Sequence, residues 1–258
     1  MEEEKKTVEL PAIDFFKINI ISFIVPLYVC LGLFLIFEYF FIIRFAIPLI
    51  IHFLILPGFL FLLYYLYLLM LIEFVRIWSA RWIKKSPPKQ GVFPRVLDDF
   101  NSEQGKMMKY YHKRGFIIKL PMWLTVKSPF PWLINRTLRK ISHNKIGKNV
   151  IYCDGYVGLE FTDLGDNVFI YPTTALSSHA VNTIFGKISM MEIKFGKNTT
   201  LYPGIIAGPN VLTTDNIVIY PNTVLHKNWR GKPEKYYYQG SPGRPIDVKH
   251  REEKSKLI

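Results

Sequence analysis

Residues 164–181 read LGDNVFIYPTTALSSHAV and fall into three phrases of six, LGDNVF, IYPTTA and LSSHAV. The same grammar runs upstream from Ile146 as IGKNVI, YCDGYV and GLEFTD. It resumes at Phe195 as FGKNTT, LYPGII, AGPNVL, TTDNIV and IYPNTV, with Leu225 opening another phrase. A period of six belongs neither to an amphipathic helix, which repeats at about 3.6 residues, nor to a half-buried strand, which repeats at about two; it marks a solenoid. The first residue of most phrases is large and apolar (Ile146, Leu164, Ile170, Leu176, Phe195, Leu201), and the fifth is small or β-branched (Val150, Val168, Thr174, Ala180, Thr199, Val211). Asparagine recurs fourth, at Asn149, Asn167, Asn198, Asn210, Asn216 and Asn222.

Each preference has a physical cause. A short strand and a sharp turn, repeated three times, close a triangular coil of about 18 residues, and such coils bury a core only by stacking. First and fifth residues therefore point inward, the fifth into the narrower space. Asparagine and glycine serve the turns because they take left-handed backbone angles at least cost. The pattern predicts a parallel β-helix over residues 146–229. It breaks from Asn182 to Lys194, which predicts a loop inserted at a corner, and loops leaving a rigid scaffold are where function concentrates. His179 closes the coil just before that loop, and its fourth place in the phrase predicts a turn.

Outward from the repeat, the chain changes solvent. No residue between Lys17 and Glu38 is formally charged, a run of about 20 positions, enough for a helix to cross ~30 Å of hydrocarbon. A second uncharged run, Phe45 to Ile72, tolerates Pro48, His52 and Pro57, as membrane helices do where neighbouring groups satisfy the freed carbonyls. The first run is too long for a signal peptide and lacks a small-residue cleavage site. Arg76, Arg81, Lys84, Lys85 and Lys89 follow the second run, whereas the turn between the runs offers only Arg44. Positive segments stay cytoplasmic, so a multi-pass hairpin in the cell membrane with both ends and the repeat on the cytoplasmic side is expected.

The formal net charge is +13, which suits an anionic membrane surface and its lipids. It brings no recognisable nucleic-acid module, so no nucleic acid is expected as a partner. Two cysteines, Cys30 and Cys153, make no disulfide framework. In the basic stretch before the repeat, Trp123, Phe130 and Trp132 alternate with cations, as in segments lying at the headgroup interface; an α-helical connector packed on the next domain is the alternative. His112 and His143 in this stretch are expected to be solvated.

LGDNVFIYPTTALSSHAV resembles the catalytic coil of the hexapeptide-repeat acyltransferases, in which a histidine follows two regular phrases. FGKNTTLYPGIIAGPNVLTTDNIVIYPNTVL resembles the later coils that line their acyl-CoA groove, and GSPGRPI at 240–246 is similar to the Gly-x-Pro-Ala-Lys-x-Ile ending of sugar and xenobiotic acetyltransferases. With PWLINRTLRKISHNKIGKNV ahead of it, the region also resembles the β-helical domains of membrane-bound nonribosomal-peptide-synthetase-like proteins. The resemblance covers about residues 146–247. It implies a left-handed β-helix, a homotrimer whose sites lie between neighbours, acetyl-CoA or another acyl-CoA as co-substrate, and His179 as the general base. Two features depart from the pattern. His179 stands fourth in its phrase, earlier than the galactoside-type histidine, and membrane helices replace the maltose-type N-terminal helices.

Within this frame, Glu160, Asp163 and Asp166 are the carboxylates near His179. Glu160 is preferred to orient the imidazole, since it lies one coil earlier on the face that carries Ser178. Ser178 and Asn182 would touch the acceptor. Ala207 and Gly208 would offer backbone groups to the pantetheine arm, and Lys227, Arg230 and Arg244 would meet the phosphates. No metal is expected. A γ-class carbonic anhydrase shares the solenoid but needs three histidines at a subunit interface, and here the repeat holds only His179 and His226. A non-catalytic β-helical scaffold at the membrane is the other alternative. The expected organisation is an N-terminal tail (1–14), a transmembrane hairpin (15–75), a basic juxtamembrane segment (76–145), the left-handed β-helix (146–229, insertion 182–194) and a C-terminal tail (230–258). The expected activity is acyl transfer to a hydroxyl or amine of a membrane-associated or lipid-linked acceptor, such as a glycan precursor.

Overall fold

Residues 12–141, 143–158 and 160–247 are described by the computed structural model; positions 1–11 of the expected N-terminal tail and 248–258 of the C-terminal tail lie outside them. Two helices, α1 (Ala12–Glu38) and α2 (Leu49–Lys85), are joined through a π-helical turn at Tyr39–Arg44. Both are long and apolar enough to cross a membrane. Their large apolar side chains are exposed along most of the length from Ile13 to Leu62. Beyond that point α2 turns its face inward, and Leu68, Leu71, Ile72 and Val75 are fully buried.

What buries them is the basic middle segment, folded as a strand β1 (Gly91–Pro94) and three helices, α3 (Glu103–Ile117), α4 (Lys119–Lys127) and α5 (Trp132–Ile141). Ser102 caps α3, its hydroxyl accepting from the Gly105 amide at 3.1 Å. Ile117, Ile118, Phe130, Leu133 and Ile141 pack on the inner face of α2. Glu73 of α2 gathers Arg76, Arg136 and Lys140, clamping α5 to the same stem. The segment is therefore a packed helical connector, with Trp123 and Trp132 exposed on its outside, and α2 runs ten residues past the expected end of the hairpin.

The repeat forms short strands. They are β2 (His143–Ile146), β3 (Ile151–Tyr152), β4 (Tyr156–Val157), β5 (Glu160–Leu164), β6 (Phe169–Ile170), β7 (Ala175–Leu176), β8 (His179–Asn182) and β9 (Lys187–Met190). Then follow β10 (Ile193–Phe195), β11 (Thr200–Leu201), β12 (Ile206–Ala207), β13 (Val218–Ile219), β14 (Val224–Leu225), β15 (Tyr237–Gln239) and β16 (Arg244–Pro245). Three sheets stack them in parallel: β2-β5-β10, β3-β6-β11-β13-β15 and β4-β7-β12-β14. Facing groups are separated by 18 residues, as in the Asn149–Asn167 and Asn198–Asn216 side-chain bonds, and by 31 across the interruption, as in Asn167–Asn198.

The inward columns are filled as the phrases demand. Leu164, Ile170, Leu176, Phe195, Leu201 and Leu225 are at most 1% exposed, beside buried Val150, Val168, Thr174, Thr199 and Val211. The fourth-place asparagines take left-handed angles, φ running from 54° at Asn149 to 64° at Asn210, where asparagine costs little. Ala180 departs from its column and is exposed, because β8 has left the stack. The parallel pairing also passes residue 229: β15 pairs with β13 through Tyr237 and Tyr238, and β16 folds back antiparallel on β15. At the other end α5 covers the first coil, with Asn135 Nδ2 donating to the Val150 carbonyl at 2.6 Å and Arg139 Nε to that of Ile146 at 2.9 Å.

Candidate functional site

The interruption is a β-hairpin. β8 and β9 pair antiparallel from His179↔Met190 to Asn182↔Lys187, and β1 adds a third strand to β9 from Gly91↔Met190. Gly186 takes the left-handed angle at its tip, φ 56°, where any side chain is disfavoured. The excursion therefore begins at His179, three residues earlier than the phrasing predicts, and parallel stacking returns at Ile193. This corrects the expected turn. Asn210, one coil on in register with His179, is left-handed with φ 64°, whereas His179 opens a strand. A backbone partner in β9 outweighs the local preference of the phrase.

His179 lines a cavity of about 720 Å³. One wall is the solenoid and its hairpin, with Tyr156, Glu160, Ser178, His179, Val181 and Met190; the other is α3 and α4, with Tyr111, His112, Phe116, Met122, Trp123 and Val126. Both walls belong to the same chain. The Tyr111 ring stands 5.7 Å from that of His179 at 72°, and 5.2 Å from that of His112. The Ser177 hydroxyl donates to the His179 carbonyl at 2.6 Å, and among the described residues nothing hydrogen-bonds its imidazole. Nε2 of His112 is buried without a partner.

Glu160 is buried beside this site but committed elsewhere. Arg114 of α3 forms a two-pronged ion pair with it through Nε and, at 3.5 Å, Nη2. Nη1 of Arg114 donates to the Ser86 carbonyl at 2.9 Å. The expected Glu160–His179 bond is replaced by this one, and the carboxylate acts on the imidazole only through space. Burial pushes the His179 pKa below the ordinary histidine value while the Glu160 charge pulls it back up. Burial lowers His112 too, with Arg95 and His179 adding to the effect, so its expected solvation is corrected. Burial raises the Tyr111 and Tyr156 phenols, which keeps them protonated donors. The arrangement offers neutral imidazoles in a largely apolar chamber, a setting for proton abstraction.

The remaining expected residues scatter. Ser178 is buried at the cavity wall. Asn182 lies out along the hairpin, its Oδ1 accepting from the Phe185 amide at 3.2 Å. The Ala207 carbonyl already accepts from Ser177 at 2.8 Å and the Gly208 amide already donates to Leu225 at 2.9 Å, so those two groups belong to the ladder and not to a pantetheine arm. Lys227 Nζ donates to the Ser189 hydroxyl of the hairpin at 2.7 Å, and Arg230 Nη2 to Asn210 Oδ1 at 2.9 Å. Arg244 lies exposed on β16. Tyr111, His112 and Arg114 had no signal beyond a basic run, KYYHKR, that reads as solvated. Among the described residues no group of three or more His, Cys, Asp or Glu is placed to hold a metal ion.

No family model matches the chain, and no curated protein matches it. Solved structures do. A maltose O-acetyltransferase from Clostridium difficile 630 is 19% identical, with 53% of this chain and 86% of that chain covered and a TM-score of 0.44. A hexapeptide-repeat containing acetyltransferase from Vibrio cholerae O1 biovar eltor, complexed with acetyl coenzyme A, is 13% identical over 58% of this chain and 91% of that chain, TM-score 0.40. A galactoside acetyltransferase in complex with coenzyme A is 18% identical over 53% and 80%, TM-score 0.40.

Proposed function

We propose that this chain is a membrane-anchored acyltransferase built on a left-handed parallel β-helix, moving an acetyl group from acetyl-CoA to a hydroxyl or amine of a membrane-associated or lipid-linked acceptor such as a glycan precursor. The observation that carries the reading is the position of His179: at the point where the hairpin leaves the stack, facing a chamber closed by helices that rise from the membrane end of the chain. The thioester supplies the acetyl group. His179 takes the acceptor's proton as its oxygen or nitrogen bonds to the carbonyl carbon, and returns it to the thiolate as the C–S bond breaks. Arg244 is the cation open to the coenzyme phosphates; Lys227 and Arg230 would exchange their present partners to join it.

The base must be neutral to work, so a depressed pKa extends activity to acid. kcat/KM should hold as pH falls through the ordinary histidine value of ~6.5 and drop only below it. Glu160→Gln removes the charge that raises the His179 pKa and should move that limb further to acid. A limb at or above the ordinary value would show that another group titrates.

Sidedness and assembly are tested separately. The cation excess from Arg76 to Lys89 favours a cytoplasmic solenoid that meets its coenzyme there, so a cysteine introduced by Lys235→Cys should stay unlabelled when an impermeant maleimide is added to intact cells. Labelling from outside overturns the orientation. The homotrimer implied by the resemblance should appear as a mass of three chains in mild detergent, and a monomer that still transfers acyl groups would dismiss it.

A further inference from the structure

The chamber beside His179 is larger and more apolar than a small polar acceptor requires. At about 720 Å³ it matches pockets that enclose most of a drug-sized ligand. Several of its polar side chains are spent within the chain: Glu160 on Arg114, Asp154 on Lys127, and the Tyr152 hydroxyl on the Gly155 carbonyl. The imidazoles of His179 and His112 share the lining with an apolar set, Phe15, Phe116, Met122, Trp123 and Val126.

Phe15 links this set to the membrane. It lies in the first turns of α1, and its ring stacks on that of Phe116 with centroids 4.5 Å apart. Its neighbours Ile13 and Phe16 are 71% and 66% exposed, and Trp123 is 60% exposed. Exposed apolar side chains of α1 thus adjoin the lining of the chamber that holds the imidazole. Water on this surface is unfavourable, and each methylene of an alkyl chain that replaces it adds to binding. Lys119 at the rim, 5.8 Å from the centre of the Phe116 ring, suits the polar boundary of such a ligand.

We infer that the chamber holds the apolar chain of the acceptor itself. The acceptor is an amphiphile whose hydrocarbon enters from the bilayer past Phe15 and Trp123 and whose head carries the hydroxyl or amine presented to His179. The role of acceptor rests on the acyltransferase reading; occupancy by a lipid chain does not. The donor's chain is the poorer fit, since it arrives attached to a charged coenzyme, whereas Phe15 of α1 stands in the chamber's lining.

Photocrosslinking separates the cases. The full chain is placed in phospholipid vesicles with phosphatidylethanolamine bearing a diazirine at its chain end, irradiated, and mapped by peptide mass spectrometry. Adducts are expected on Phe116, Trp123 or Val126, and should be lost in Val126→Trp, which fills the chamber, while adducts on the outer faces at Leu27 and Leu54 remain. If that variant does not fold, the wild-type map decides alone. Adducts confined to the outer faces overturn the inference. So does chamber labelling by a diazirine palmitoyl-CoA but not by the lipid, which would assign the space to the donor. Because no turnover is needed, chamber adducts on a protein that transfers no acyl group would dismiss the acyltransferase reading and leave lipid occupancy standing.

Discussion

Replacing His179 with asparagine should lower the chemical step by about 10²- to 10⁴-fold, the range lost with a general base, while leaving the fold in place. The fold should survive because the backbone of His179, not its ring, holds the hairpin: the pairing is with Met190, and no described residue hydrogen-bonds the imidazole. The ring's packing on Tyr111 is what the variant gives up. His179→Ala should behave alike, which separates loss of the base from any property of the amide. Single-turnover acetyl transfer, read beside circular dichroism and coenzyme binding, makes the measurement. Full activity in the asparagine variant would move the chemistry elsewhere, with His112 the next imidazole to test.

Arg114→Met should cost about 3–5 kcal/mol of stability, because it strands a buried carboxylate. Arg114 and Glu160 are 5% and 8% exposed as side chains, so the desolvation cost is not relieved by water. Glu160→Gln strands the guanidinium instead and should cost similarly. The double variant Arg114→Met/Glu160→Met removes both charges and should recover most of the loss, since apolar groups of similar volume can replace a buried pair at little cost. Chemical denaturation in detergent reads all three. A single substitution costing less than about 1 kcal/mol, as for surface pairs, would show that water reaches the pair. Because Arg114 ties α3 to β5, Arg114→Met should also loosen the wall opposite His179 and reduce kcat/KM beyond any change in folded fraction.

The stack was legible because each phrase restates one demand. Leu164, Ile170 and Leu176 fill neighbouring columns and their counterparts recur a coil away, so the period survives any single exception. The site was less legible because its contacts obey no period. Arg114 finds Glu160 across 46 residues, and nothing near either one announces the other. That the stack breaks near His179 was legible, but the conformation of His179 was not, since the phrase describes a turn and the deciding partners are β9 and, beyond it, β1. The surroundings of Asn182 and of the Ala207–Gly208 backbone were illegible for related reasons. A hairpin carried the first outward, and the ladder between coils had already claimed the carbonyl and amide of the other two.

In the membrane-anchored reading, the unbroken run of α2 has a mechanical consequence. Its 37 residues form a rod of about 55 Å, and only ~30 Å of that is needed for the hydrocarbon. The part from Glu73 onward, roughly 20 Å at 1.5 Å per residue, is a rigid strut to which Arg136 and Lys140 fasten α5, and α5 in turn holds the first coil through Asn135 and Arg139. The catalytic chamber is therefore held at one altitude above the bilayer and cannot sweep out a volume as it would on a flexible tether, whose reach grows with length. Delivery becomes a two-dimensional search by the acceptor. Groups borne close to the membrane plane come level with His179, and groups carried far out on a long polymer pass over it.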